Sequence, residues 1–299
     1  MNKLLLLTSI FLSEITLAQN TSIDYTERLI NSTVRIESSY SGGKISTGTG
    51  FFFDFEFDKS KNSYIPVIVT NKHVVKGAQK IKLFLKEKSV QGGPDYNKIF
   101  ELEINNSALF VIDHPDSAID LCVIPIALLD DSLKKLNRTL YYDIFSQTAI
   151  PTLEINNKML AIEEVYMIGY PNGLWDKAHN LPIVRKGVTA TSPTIDFNSK
   201  KEFVIDIAAF PGSSGSPVFL YNSDFFQTKK SIEMGGRIYL LGILYAGPFI
   251  SMQGKVELQP TNPTAVINIP MSLGYVLKSE LLYGMLPPLK SLHQKLGGK

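Results

Sequence analysis

The chain has 299 residues, 44% hydrophobic and 19% charged, enough apolar material for one large domain or two modest ones and unlike a disordered composition. Lys and Arg total 30 against 28 Asp and Glu, a net charge of +2, which supplies no field for nucleic acid or an anionic membrane. The single cysteine, Cys122, excludes an internal disulfide framework, and four scattered histidines without an HExxH spacing leave no zinc-type cluster.

At the N-terminus, Met1-Asn2-Lys3 precede the apolar stretch 4–12, and Thr16-Leu17-Ala18 precede Gln19. These are the basic start, apolar run and small-residue cut site of a secretory signal. The run is shorter than the roughly 20 residues that span a bilayer. Residues 1–18 are therefore expected to be removed after Ala18, leaving a mature protein that is secreted or periplasmic in a bacterium and not held in a membrane. Export without disulfides fits a bacterial compartment.

From Thr33 onward short β-type runs follow one another: 34–36, 50–55, 64–70, 81–85, 100–104, 109–112 and 121–126, separated by turn residues. The spacing predicts a sandwich or barrel, not βαβ units. Residues 128–158 are polar, with a short helix after Asp130 and Asp131, and are expected to connect two β units, the first spanning 19–127 and the second 159–286. In the second, β-type runs cover 164–168, 181–188, 203–208, 218–221, 238–245 and 265–269. A closing helix is expected from Ser272, with Leu273, Val276, Leu277 and Leu281 on one face, stopped near Gly284 by Pro287 and Pro288. Residues 287–299 are expected to be a tail.

Three contexts carry chemistry. The apolar run Val67-Ile68-Val69-Thr70 ends in Asn71-Lys72-His73, a strand end presenting an imidazole, the side chain suited to move protons near neutral pH. Asp120-Leu121-Cys122-Val123 sets a carboxylate at the mouth of another apolar strand, where it can hold the second imidazole nitrogen. In Pro211-Gly212-Ser213-Ser214-Gly215-Ser216-Pro217, glycines flanking a serine permit a tight turn whose amides converge on one spot. Taken singly, each is as readily a turn, a cap or a loop. Together they run His73, then Asp120 47 residues on, then Ser214 94 residues further, the order of one class of nucleophilic triads. The Gly-x-Ser-x-Gly elbow is not met around Ser214, because position 216 is Ser, which argues against the α/β-hydrolase order and fold.

These segments, with Gly169-Tyr170-Pro171 and Leu241-Gly242-Ile243-Leu244-Tyr245-Ala246-Gly247, resemble the trypsin-like serine peptidases, in particular the bacterial glutamyl endopeptidase branch and more loosely the HtrA-type proteases. The resemblance covers roughly residues 33 to 285. It implies an all-β, chymotrypsin-like fold of two packed six-stranded antiparallel β-barrels with a C-terminal helix and the active site between the barrels. It further implies Ser214 as nucleophile, His73 as general base and acid, Asp120 as orienting carboxylate, and the amides of Gly212 and Ser214 as oxyanion hole. A polypeptide is the implied substrate, no metal or organic cofactor is called for, and the sequence sets no oligomeric state.

Departures from the family pattern shape the expectation. Ser213 stands where trypsin-type zymogens carry the Asp that pairs with a new N-terminus, so activation by that pair is not expected. Leu244 and Ala209 replace the His and Thr of glutamyl endopeptidases, and Ala208 falls near trypsin's pocket acid. Ala208, Ala209, Leu244, Tyr245, Ala246 and Gly247 are therefore expected to form a pocket for a small or medium hydrophobic P1 side chain, because a charged one would be buried without partners. Tyr245 also stands where many relatives have a Ser that assists the catalytic acid. The alternatives are an inactive protease-fold binding protein and an esterase using the same triad.

Overall fold

The computed structural model describes residues 25–58, 60, 63–255 and 264–295. The expected signal segment, 1–18, lies outside the described residues. Helix α1 (Tyr25–Asn31) leads into β1 (Thr33–Ser39), β2 (Ile45–Asp58), β3 (Ser63–Thr70), the single turn α2 (Lys72–Val75), β4 (Lys80–Lys88), β5 (Pro94–Asn105), β6 (Ile112–Asp113), β7 (Cys122–Pro125), α3 (Asp130–Lys135), β8 (Leu140–Tyr141) and β9 (Phe145–Ser146). Helix α4 (Leu153–Lys158) then precedes β10 (Glu164–Gly169), β11 (Ile183–Thr189), β12 (Glu202–Asp206), β13 (Pro217–Asn222), β14 (Phe225–Gln227), β15 (Ile232–Met234), β16 (Arg237–Ala246), β17 (Phe249–Lys255), β18 (Thr264–Pro270), β19 (Gly274–Lys278) and α5 (Leu286–Lys295).

The all-β class is as expected, but the pairing closes only one ring. Strands β10-β11-β12-β19-β16-β13 form a closed barrel, whereas the N-terminal strands form a nine-stranded sheet in the order β5-β4-β1-β2-β3-β7-β6, with β8 on β4 and β9 on β2. Closure of the N-terminal strands into the other expected six-stranded barrel is not seen in the pairing, whose path runs from β5 to β6 as its two edges. The sheet still wraps one core, since Phe100, Leu102 and Ile104 of β5 share a cluster with Cys122 and Ile124 of β7. Its two edges are not paired with each other because residues 106–111 are not strand: Asn106 adopts φ 57 and a 3-10 turn covers Ser107–Leu109. The short β8 and β9 also show that the stretch expected only to connect the units contributes strands to the first.

Period-2 alternation sorts the apolar residues into three cores. In β2, Phe52 points into the N-terminal sheet's own core, while Phe51, Phe53 and Phe55 face the other way. They meet Ile168, Phe219, Leu240, Ile243 and Leu277 of the barrel in a shared interface core. Inside the barrel lie Val165, Met167, Phe203, Ile205, Val218, Leu220, Leu241 and Val276.

The C-terminal segment differs from the helical expectation. Val276 and Leu277 are neighbours in β19, one facing the barrel interior and the other the interface, so their adjacency reflects a strand buried on both faces. The helix begins where it was expected to stop: Pro287 and Pro288 occupy the first turn of α5, where a missing N–H has no intrahelical partner to lose. Residues expected as a tail are therefore helical through Lys295, and Leu289 is buried in the interface core. Among the described residues no helix is long and apolar enough to cross a membrane.

Candidate active site

Register brings His73 and Asp120 together. Strands β3 and β7 are antiparallel with Thr70 opposite Cys122, so the chain leaving β3 and the chain entering β7 emerge at the same edge. Beyond Thr70 the backbone turns into α2, where Val74 and Val75 are buried and anchor the turn. Lys72 is buried too, and its ammonium donates to the carbonyls of His114 (3.1 Å) and Asp116 (3.0 Å), drawing in the loop that carries Asp120. Asn71 Nδ2 donates to Asp120 O at 2.7 Å.

The Asp120 carboxylate then makes two contacts with one residue: Oδ1 accepts from His73 N (3.1 Å) and Oδ2 lies 2.5 Å from His73 Nδ1. With Nδ1–H donated to Asp120, the imidazole presents Nε2 as its acceptor. The ring stays accessible, with its side chain 49% exposed.

Ser214 sits on the loop between Phe210 and Pro217. Ser213 N donates to Phe210 O at 3.0 Å, and Gly212 between them has φ 88. Pro followed by Gly at positive φ is a type II turn. A Cβ on Gly212 would collide with Tyr170 O, and one on Gly215, at φ 86, with Thr49 O, so both positions require glycine on conformation and space alike.

The neighbouring carbonyls set the direction of the amides. Pro211 O accepts from Asn172 N, and Ser213 O accepts from Ser216 N at 3.0 Å. Because C=O and N–H of one peptide point opposite ways, these bonds turn Gly212 N–H and Ser214 N–H away. Neither amide donates to a partner among the described residues.

Thr49 of β2 ties this loop to the N-terminal sheet. Its amide donates to Ser214 O (2.9 Å) and its hydroxyl to Gly212 O (2.9 Å), while the hydroxyl accepts from Tyr170 N (3.1 Å). Thr70, three residues before His73, donates its hydroxyl to Thr49 O at 2.7 Å. The Ser214 hydroxyl itself donates to Tyr245 O at 3.4 Å; among the described residues it makes no hydrogen bond with His73. The structure therefore pairs His73 with Asp120, ties the Ser214 loop to the strand before His73 through Thr49 and Thr70, and leaves the Ser214 hydroxyl on another acceptor.

A cavity of about 290 Å³ opens beside Ser214, lined by Ala209, Leu244, Ala246 and Gly247 together with Phe210, Pro211, Pro248, Phe249 and Pro270. Four of the residues expected to line a pocket do so. Ala208 and Tyr245 are not among the lining residues: Ala208 O accepts from the Arg185 guanidinium, and the Tyr245 phenol reaches the buried Glu202 carboxylate at 2.5 Å. Burial, that hydrogen bond and the charges of Glu202 and Asp120 push the Tyr245 hydroxyl well above its ordinary value, so it remains a neutral donor.

Sequence reasoning missed Thr49, Arg185 and Glu202. None of the three carries a local signal: the inward position of Arg185 in β11, between exposed Val184 and Lys186, is set by the fold. The apolar walls from Pro248, Phe249 and Pro270 directly follow or precede segments that were singled out.

The family model described as a trypsin-like peptidase domain matches residues 48–225. No curated protein matches the sequence. Among solved structures the chain is similar to an HtrA-type protease with a tripeptide, at 13% identity and TM-score 0.46, covering 90% of this chain and 64% of that one. It is also similar to a serine endoprotease from Yersinia pestis, at 14% identity and TM-score 0.46, covering 91% and 68%. A third is the active form of a protease from M. tuberculosis, at 15% identity and TM-score 0.45, covering 88% and 83%. This chain thus spans 64% of the length of the first. The matched domain, which takes in Thr49, His73, Asp120 and Ser214 and more than half of the chain, makes this protein a member of the trypsin-like peptidase family.

Proposed function

We propose that the protein is an exported serine endopeptidase that hydrolyses peptide bonds through an acyl-enzyme, with Ser214 as nucleophile, His73 as general base and acid, and Asp120 as its orienting carboxylate. The observation that carries the reading is the 2.5 Å pairing of His73 Nδ1 with Asp120 Oδ2, which leaves Nε2 free of that pairing; the amides of Gly212 and Ser214, without an acceptor among the described residues, support it.

In this mechanism the Ser214 hydroxyl turns from Tyr245 O to His73 Nε2, a tightening common on substrate binding. Its oxygen attacks the scissile carbonyl and its proton passes to Nε2. Asp120 stabilises the imidazolium without taking the proton. Gly212 N–H and Ser214 N–H receive the oxyanion, each such donor contributing roughly 10²- to 10³-fold in rate. The intermediate collapses, the C–N bond breaks, and His73 returns the proton to the leaving amine. Water, deprotonated by His73, then hydrolyses the ester and restores Ser214.

The cavity beside Ser214 supports a preference for a small or medium apolar P1 side chain. Its lining side chains other than Ser214 are apolar, so a P1 carboxylate or guanidinium would lose its water without a compensating partner. The apolar segment 4–12 and the small residues before Gln19 support export.

A peptide-library digest read by mass spectrometry, with Ser214→Ala as control, tests the reading. Cuts after Ala, Val or Leu that vanish in the variant are expected. Dominant cleavage after Glu or Arg contradicts the pocket assignment, and cleavage by the variant contradicts the nucleophile.

A further inference from the structure

Arg185 occupies an unusual place. In β11 the side chains of Val184, Lys186 and Val188 are exposed, and Arg185, opposite Met167 of β10, takes the alternate, inward register. There its guanidinium reaches two points of the loop that leads to Ser214. Nη1 donates to Ala208 O and Nη2 donates to Ser213 Oγ at 2.7 Å, while the group lies 5.7 Å from the centre of the Phe210 ring. Nε is buried and has no hydrogen-bond partner. Among the described residues no carboxylate pairs with this cation, although buried Arg237 is paired with Glu163 at 2.6 Å.

A half-buried guanidinium without an anion is costly to keep, and among the described residues its hydrogen bonds go to the two ends of one short segment. Between those ends lies the type II turn at Pro211-Gly212. Types I and II differ by a flip of the central peptide, and that flip would carry Gly212 N–H away from Ser214 and put Pro211 O in its place. Fixing Ala208 O on one side and the Ser213 hydroxyl on the other sets the span the turn must bridge.

We propose that Arg185 is a positioning residue for the oxyanion-binding amides: it clamps residues 208 and 213 and holds the intervening turn in the conformation that aims Gly212 N–H at the substrate oxygen. The inference rests on Ser214 being the nucleophile. It assigns Ser213 as the receiving end of the clamp.

Steady-state kinetics and fluorophosphonate labelling of R185M, R185A, S213A and S214A test it, with folding checked by circular dichroism. R185M, which keeps the side-chain length and removes the donors, lowers kcat about 10²-fold, the effect of losing one oxyanion donor. Its KM stays within about threefold, because the P1 cavity does not include Arg185, and the labelling rate falls in parallel. Millimolar ethylguanidinium restores part of the lost kcat to R185A. S213A, a minimal change that keeps the fold if R185M does not, loses about tenfold in kcat.

Wild-type kcat in folded R185M or in S213A, or R185A that ethylguanidinium leaves unchanged, overturns the clamp. If S214A is inactive while R185M and S213A turn over normally, this inference fails alone. If S214A retains turnover, the nucleophile reading fails and the clamp with it.

Discussion

His73 and Asp120, 47 residues apart in sequence, are joined twice: the carboxylate takes the backbone N–H of His73 on one oxygen and lies 2.5 Å from its Nδ1 on the other. The double contact fixes the imidazole's position and its tautomer at once. Asp120→Asn keeps the shape and removes the charge to which the proposed mechanism assigns stabilisation of the imidazolium. It is expected to lower kcat by about 10³- to 10⁴-fold with little change in thermal stability, measured by steady-state turnover beside a melting curve.

Thr49 links the two halves of the site through one buried hydroxyl, and the two groups on that hydroxyl, Tyr170 N and Gly212 O, are left unpaired in Thr49→Val. Each unpaired group costs about 1–3 kcal/mol. A loss of stability on that order in denaturant titrations is expected, with kcat reduced more than tenfold. Thr49→Ser, which keeps the hydroxyl, stays within about threefold of wild type in kcat. Equal losses in Val and Ser variants would assign the effect to packing of the methyl group instead.

Gly247 sets the width of the cavity beside Ser214. A Cβ there would stand 2.6 Å from Ala209 Cβ and 3.1 Å from Leu273 O, so the wall must give or the cavity must narrow. Gly247→Ala is expected to cut kcat/KM for Leu-P1 peptides about tenfold relative to Ala-P1 peptides. Competition between the two peptides in one tube reads the ratio directly, and an unchanged ratio would place the P1 side chain elsewhere.

Lys86 gives a pH signature away from the site. It is buried, with its ammonium donating to Asn31 Oδ1 at 2.8 Å, and burial pulls its pKa down to about 8. Between pH 8 and the ordinary lysine value near 10.4, the unfolded chain holds the proton and the folded chain has released it. Stability therefore rises with pH across that window and is lower by on the order of 3 kcal/mol below it. In Lys86→Met that rise is expected to disappear, so the stability difference between wild type and variant changes with pH from 7 to 10 and levels off on either side. A pH-independent difference, from urea titrations at each pH, would contradict the assignment.

The strands most legible in the sequence are short unbroken apolar runs. The phenylalanines of β2 and the Val67–Val69 run are found as strands because they are apolar on both faces, serving two cores at once. The same property hid β19, where Val276 and Leu277 side by side imitate a helical face. Pro287 and Pro288 read as a stop because proline at the start of a helix and proline after its end look alike without the third dimension. The strands β8 and β9, two residues each, exist only through their neighbours. At the candidate site, His73, Asp120 and Ser214 stood out in the sequence through the combination and order of their contexts, since none is distinctive taken singly. Thr49, Arg185 and Glu202 did not, since their partners Gly212, Ser213 and Tyr245 lie 163, 28 and 43 residues away.

Whether Ser214 is the nucleophile is read directly by active-site labelling. The protein trimmed after Ala18 is treated with a fluorophosphonate, and the adduct is located by peptide mapping in wild type, Ser214→Ala and His73→Ala. One adduct is expected, on Ser214 Oγ, absent in the first variant and at least about 10²-fold slower to form in the second. A folded wild-type protein that takes up no label, or an adduct on Ser213 or Ser216, would contradict that assignment.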